Sequence, residues 1–322
     1  MSALTAAALA FTLAVQDAGA SHLVVVTGLG GEPGYRQALA QWAATLTGAA
    51  RTLGVPAGNV IYLAGDPGSA GARRATREQI GVALGEVAAR SRPHDVVMLF
   101  LAGHGSHEGA ESRLNLPGPD LSAAELGRLL APLAGRRVIV VNTSSASGDF
   151  IAALSAPGRA IITATKTSLE RNATQFGAHF AAAYAGGAAD ADKDSRISLL
   201  EAFLHAKRET ARVYTSDNRL LTEHAMLDDD GDQTGSAAPG AEGADGGFAR
   251  TLFLGSEPVT AIATDTQSAT LVARKREIEG KISALRARKA SLRSDEYEAQ
   301  LETLLVELAL TNEAMRTRSS PQ

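Results

Sequence analysis

Two hydrophobic periods alternate along the chain from His22 to about Leu254. "HLVVVTG", "NVIYLAG", "DVVMLFLAGHG", "RRVIVVNTS" and "RAIITATKT" are continuous Val/Ile/Leu runs, the pattern of strands buried on both faces. Between them, "PGYRQALAQWAATLTGAARTLG", "TREQIGVALGEVAARS" and "LSAAELGRLLAPLAG" repeat apolar residues at helical spacing, and Ser122 with Glu125 opens the last as a capping box. Strands that alternate with helices need crossover connections. The pattern therefore predicts a mainly parallel sheet with helices on both faces, a three-layer α/β sandwich. A last strand is expected at Arg250 to Leu254.

The pattern then changes. Residues 233–247, "QTGSAAPGAEGADGG", read as a low-complexity loop, and 257–268 as a linker. From Leu271 two helices follow, one with the stripe Leu271, Ile278, Ile282, Leu285 and Leu292, the other with Tyr297, Leu301, Leu304, Leu308 and Met315. The first is basic (Arg274, Lys275, Arg276, Lys281) and the second acidic (Glu298, Glu302, Glu307, Glu313). Opposite charges beside matching stripes predict an antiparallel helical hairpin over 269–322, turning around Ser294. Such a hairpin buries too little alone, so it is expected to dock on the α/β domain of residues 21–256 or to self-associate.

Composition narrows the function. The 322 residues are 45% hydrophobic with a formal charge of −4, and the main body has no concentrated basic face, so nucleic acid is not an expected partner. The absence of cysteine removes disulfides, thiolate metal sites and any cysteine nucleophile. Residues 1–20 carry a short uncharged apolar run, about Leu4 to Val15, followed by Ala18-Gly19-Ala20. That is the form of a cleaved export signal rather than a membrane anchor, and predicts a periplasmic or extracellular protein. Gly28-Leu29-Gly30-Gly31 has the wrong spacing for a dinucleotide loop, because Pro33 stands in the third glycine's place. It reads as a strand-exit turn.

Candidate chemistry gathers where two strands end. Ligands of open parallel sheets sit outside the carboxyl ends of the strands. His104, flanked by Gly103 and Gly105, closes one run, and Ser144, Ser145 and Ser147 close another with Gly148 and Asp149. If the strands are neighbours, about 4.8 Å apart, a base and a nucleophile can face one another there, with a glycine N–H to steady an oxyanion.

These residues resemble the caspase-like peptidases, and in particular their legumain-type branch. Its layout is strand-His-Gly followed by a strand ending on Cys-x-Ser-Gly. His104-Gly105 matches the first motif; "SASG" matches the second with Ser145 in the cysteine's place, although counting along the strand puts Ser144 there instead. "NLPGPDLSAAEL" and "ITATKTSLE" also look like segments of that fold. The resemblance covers about Leu23 to Leu254 and implies a caspase-like fold, with His104 as base and the Gly105 amide as oxyanion donor. A serine hydroxyl needs a more tightly held base than a thiol does, and usually an orienting acid, for which Asp149, Glu108 and Glu170 are candidates. Three readings follow: a pseudopeptidase that binds peptide or protein without turnover, a serine-dependent peptidase or esterase, and a purely structural calcium-stabilised scaffold, which a closed strand mouth would favour.

One loop has metal-ligand spacing. In "DADKDSRISLLE", Asp190, Asp192, Asp194, Ser198 and Glu201 fall at places 1, 3, 5, 9 and 12 of an EF-hand, and the Arg196 carbonyl falls at place 7. Ca²⁺ is the expected ion. Ser195 replaces the turn glycine, and a positive φ there costs serine on the order of 1 kcal/mol. A second run, "LDDDGDQTG", offers Asp228, Asp230 and Asp232 but puts Pro239 where the closing glutamate belongs. It reads as a weaker metal loop or a solvated turn. His107 and His224 read as surface or packing residues.

Overall fold

The computed structural model describes residues 19–66, 71–109, 111–240, 245–255 and 294–319, with scattered residues between 270 and 293. The apolar N-terminal run and the linker 257–268 lie outside them. A seven-stranded sheet has the order β10-β9-β8-β4-β1-β2-β3. It is built from β1 (Ser21–Thr27), β2 (Val60–Ala64), β3 (Arg73–Arg74), β4 (Val96–Ala102), β8 (Arg137–Asn142), β9 (Arg159–Thr163) and β10 (Met226–Asp228). Every neighbouring pair is parallel except β10 with β9.

The alternation along β1 shows why the strand runs are apolar throughout. Leu23 and Val25 face one helical layer, Val24 and Val26 the other. On the first face lie α1 (Pro33–Thr52), α5 (Phe176–Ala183) and α6 (Leu199–Ser216), which contribute Trp42, Leu46, Phe180 and Phe203 to one core. On the second lie α2 (Arg77–Arg90), α3 (Ala123–Leu129) and α4 (Phe150–Leu154), with Leu84, Leu126 and Phe150. This is the three-layer sandwich that the pattern predicts. Burying both faces leaves the strand ends as the openings of the sheet.

The predicted capping box of α3 is formed: Glu125 N–H donates to Ser122 Oγ at 3.3 Å, and Ser122 N–H donates to Glu125 at 3.1 Å. Directly after β4 the chain builds a small antiparallel sheet of β5 (Gly105–Glu108), β6 (Glu111–Leu114) and β7 (Leu121–Ser122), which the hydrophobic pattern does not announce. The strand expected at 250–254 is instead a 3₁₀ turn, Ala249–Thr251, followed by a single bridge from Phe253 to Ser198. Two apolar residues flanked by turns pair with the start of α6 rather than with the sheet, and Leu199 N–H donates to the Leu252 carbonyl at 2.8 Å.

Of the C-terminal hairpin, helical residues between 270 and 285 bury Ile278, Ile282 and Leu285. The last helix, α7 (Ser294–Ser319), turns Tyr297, Leu301, Leu304 and Leu308 half inward. Arg274 pairs with Glu307 across the two segments. Lys275 reaches Asp194 of the acidic loop at 3.5 Å, tying the hairpin to the α/β domain. Among the described residues no helix is long and apolar enough to cross a membrane.

Candidate functional site at the ends of β4 and β8

The register sets Leu101 of β4 opposite Asn142 of β8, so the stretches beginning at Gly103 and Thr143 leave the sheet side by side. His104-Gly105 and the serine turn are thereby brought together. Glycine is required at both contacts. A Cβ on Gly105 would lie 2.1 Å from the Ser145 carbonyl oxygen, and one on Gly148 would lie 2.3 Å from the Lys166 carbonyl oxygen.

Each serine hydroxyl in this turn is buried and engaged. Ser144, fully buried, donates to Asn142 Oδ1 at 2.7 Å. Ser147 Oγ lies 3.0 Å from Thr165 Oγ1 and also accepts the Thr165 N–H at 3.3 Å. Ser145, 2% exposed, binds both backbone groups of Gly105: Oγ accepts the N–H at 3.1 Å and donates to the carbonyl at 3.2 Å. The Gly105 N–H, the expected oxyanion donor, is therefore satisfied by the hydroxyl expected to act as nucleophile. The turn itself is pinned by Ala146, at φ 52°, whose N–H donates to the Glu170 carbonyl at 2.8 Å.

His104 is half-buried, and among the described residues its ring hydrogen-bonds to no serine. It packs on Tyr35 with ring centroids 4.6 Å apart, its Nε2 edge beside the backbone of Gly31. Tyr35 donates to the Gly103 carbonyl at 3.4 Å, and burial pushes its hydroxyl pKa up to about 12, so it stays protonated. None of the three acids considered for orienting the base is behind the His104 ring. Glu108 pairs with Arg113 at 3.0 Å. Glu170 pairs with His224 at 2.6 Å. Asp149 lies 3.1 Å from His107 Nδ1 and accepts Ser112 Oγ at 2.9 Å.

His107 and His224, read from the sequence as surface or packing residues, are half-buried and exposed respectively, and each lies against a carboxylate distant in sequence. Ser112, His107 and Asp149 have the residue types of a hydrolytic triad but not its order. Acid and hydroxyl face the same ring nitrogen, 3.1 and 3.2 Å away, whereas a triad needs them on opposite nitrogens. Ser112 is also buried, with its proton committed to Asp149. A residue missed in the sequence is Glu223, which is 4% exposed and accepts the N–H groups of Gln175 and Phe176 at the start of α5 and the Tyr214 hydroxyl. Burial raises its pKa, opposed by those hydrogen bonds. "TEH" carries no capping signal because the helix it serves lies far upstream.

The acidic loop curls as its spacing requires, with positive φ at Lys193 and at Ser195 (68°). Asp190, Asp192 and Asp194 each bring a carboxylate oxygen within 4.8 Å of the others. Glu201 folds back over the loop: Oε1 accepts the N–H groups of Ala191 and Asp192, and Oε2 accepts the Ser198 N–H and hydroxyl in a capping box for α6. Desolvation, with the charges of Asp194, Glu201 and Asp190, pushes the Asp192 pKa up to about 6. Arg196 stacks its guanidinium 3.6 Å from the centre of the Phe253 ring. Asp228, Asp230 and Asp232 form a second group of the same kind.

A comparison with curated proteins returned no significant match. A family model described as Peptidase C13 family matches residues 76–226, a span that holds β4 with His104-Gly105, β8 with its serine turn, and the first acidic loop. The mostly parallel sheet with its two helical layers is the caspase-like α/β arrangement, and the match supports a legumain- and caspase-like assignment of the α/β domain to the peptidase C13 family.

Proposed function

We propose that this protein is a noncatalytic, exported member of its family, a pseudopeptidase that binds peptide or protein chains at the mouth formed by β4 and β8. One observation carries the reading: Ser145 Oγ is held by both backbone groups of Gly105, while the His104 ring rests on Tyr35. A serine becomes nucleophilic when a base takes its proton in the transition state, and an oxyanion needs a free donor. Here the proton goes to a carbonyl and the donor is occupied. The mouth still stands outside the carboxyl ends of parallel strands, the place where such sheets take ligands. Export rests on the N-terminal apolar run with its small-x-small end.

Calcium at residues 190–201 is part of the same proposal, supported by the three converging carboxylates and by Glu201 closing over them. Asp190, Asp192, Asp194, Ser198, Glu201 and the Arg196 carbonyl are its ligands, and its role is to stabilise the entry into α6.

The test is a fluorophosphonate serine probe applied to folded protein in calcium, with label sites mapped by mass spectrometry and Ser144→Ala and Ser145→Ala as controls. Absence of label, with peptide-array binding that weakens in His104→Glu, is the expected result. Label on either serine that vanishes in its alanine variant would overturn the proposal in favour of a serine hydrolase.

A further inference from the structure

The second acidic run contains a buried charge that the fold does not answer. Asp228 ends β10, and its backbone pairs with Ile161 of β9, so the side chain leaves from the sheet itself and is 0% exposed. Its Oδ1 accepts the Gly231 N–H at 3.2 Å, but its Oδ2 is buried without a hydrogen-bond donor. Neighbouring Ser155 accepts the Gln233 N–H at 3.1 Å and turns its own hydroxyl toward the Asp228 carboxyl, but a neutral hydroxyl does not balance a buried charge. A buried carboxylate oxygen with no donor is rare in folded proteins, because desolvating it costs more than the fold can usually spare.

The surroundings add negative charge. Asp228, Asp230 and Asp232 each bring one carboxylate oxygen within 4.8 Å of the others, and none of the three has an ion pair among the described residues. Asp230 Oδ1 accepts the Asp232 N–H at 3.0 Å, and Asp232 Oδ1 accepts the Thr234 N–H at 2.7 Å. Like Asp228, each has its second oxygen outside these backbone bonds. The intervening Asp229 belongs to another network, accepting the N–H groups of Gly246 and Ala249 at 2.8 and 2.6 Å.

We propose that Asp228, Asp230 and Asp232 bind a divalent cation, Ca²⁺ by the hardness of an all-carboxylate donor set, at a site separate from residues 190–201. A hard oxygen-seeking ion answers both observations together: it partners the orphaned Oδ2 and neutralises the two carboxylates beside it. A hydrogen-bond donor alone would satisfy the oxygen but leave the charge. The missing closing glutamate does not remove the site; it leaves part of the coordination sphere to water or backbone carbonyls, and so weakens binding.

Asp229 gives the site a structural reach. Its backbone lies between two ligands while its carboxylate holds residues 246 and 249, and the chain from there runs to the Leu252 and Phe253 contacts with Leu199 and Ser198. The second ion would thus brace the segment that packs against the start of α6.

The test counts bound Ca²⁺ by native mass spectrometry on the whole purified protein, with circular dichroism to confirm folding. In Asp190→Asn/Asp192→Asn, one equivalent should remain, and adding Asp230→Asn/Asp232→Asn should abolish it. Both of the latter positions are exposed, so their loss does not empty the core. Asp228→Asn should weaken the remaining site at least tenfold by calorimetry. If Asp230→Asn/Asp232→Asn binds as many ions as the parent, or the Asp190→Asn/Asp192→Asn protein binds none while folded, the proposal is wrong. Failure of the first loop alone is seen separately, as an unchanged count in Asp190→Asn/Asp192→Asn.

Discussion

Removing the Ser145 hydroxyl distinguishes a latch from a nucleophile. In Ser145→Ala the Gly105 N–H loses the acceptor 3.1 Å away, and the Gly105 carbonyl loses a donor at 3.2 Å. The carbonyl's loss is the lesser one, since under-satisfied carbonyls are commoner in folded proteins than orphaned amides. The amide's loss is not made good, since water reaches little of a site whose serine is 2% exposed. An unsatisfied donor costs about 1–3 kcal/mol, so a loss of about 2 kcal/mol is expected. For a domain of this size that corresponds to a fall in Tm of about 4–8 °C. Urea unfolding followed by circular dichroism measures the difference, with the slope against denaturant compared to confirm that both proteins unfold alike. A nucleophile waiting for substrate would lose activity on this substitution but little stability. A change below about 0.5 kcal/mol, the low end for a single hydrogen bond, would refute the latch.

Three further outcomes follow from the same geometry. Ser145→Cys should not restore chemistry: its thiol, buried against Gly105, should resist iodoacetamide in native protein and react after unfolding, and rapid native alkylation would show that this side chain is not latched against Gly105. Gly105→Ala should cost about 3 kcal/mol or more, because its Cβ meets the Ser145 carbonyl oxygen at 2.1 Å and backbone must move; thermal unfolding within a degree of the parent would contradict the packing. Glu223 has a folded pKa raised by burial above the ordinary glutamate value near 4.5. The folded state therefore holds that proton more tightly than the unfolded one, and the contribution to stability is greatest below about pH 4.5 and declines as pH rises through the raised value. Denaturant midpoints measured from pH 4 to 7 should show this decline in the parent and a flatter profile in Glu223→Gln.

The layers were legible because burial on both faces leaves no polar position inside a strand such as Val96 to Ala102, and no other arrangement explains that composition. The Ser122–Glu125 cap was legible because its partners lie three residues apart. His104 and the serine turn could be placed together from strand order, but the bonds each side chain makes could not. Ser145 chooses Gly105, and His104 chooses Tyr35, through contacts between stretches 40 or more residues apart. Asp149 shows the same limit: it adjoins the serine turn in sequence, yet its partners His107 and Ser112 come from the small sheet. That sheet was missed because "GSHE" and "ESRL" are too short and polar to show strand periodicity. Arg250 to Leu254 misled for the opposite reason, since an apolar stretch bridges as readily to a helix start as to a sheet.

Glu201 serves two networks with one side chain, closing the acidic loop with one oxygen and capping α6 with the other. Loop and first helical turn therefore form one cooperative opening unit rather than two. Amide exchange at Ala191, Asp192 and Ser198, all donors to that carboxylate, should slow or quicken in concert. A change in loop occupancy would register first as fraying of the helix that presents Phe203 to the core, well before the domain as a whole unfolds.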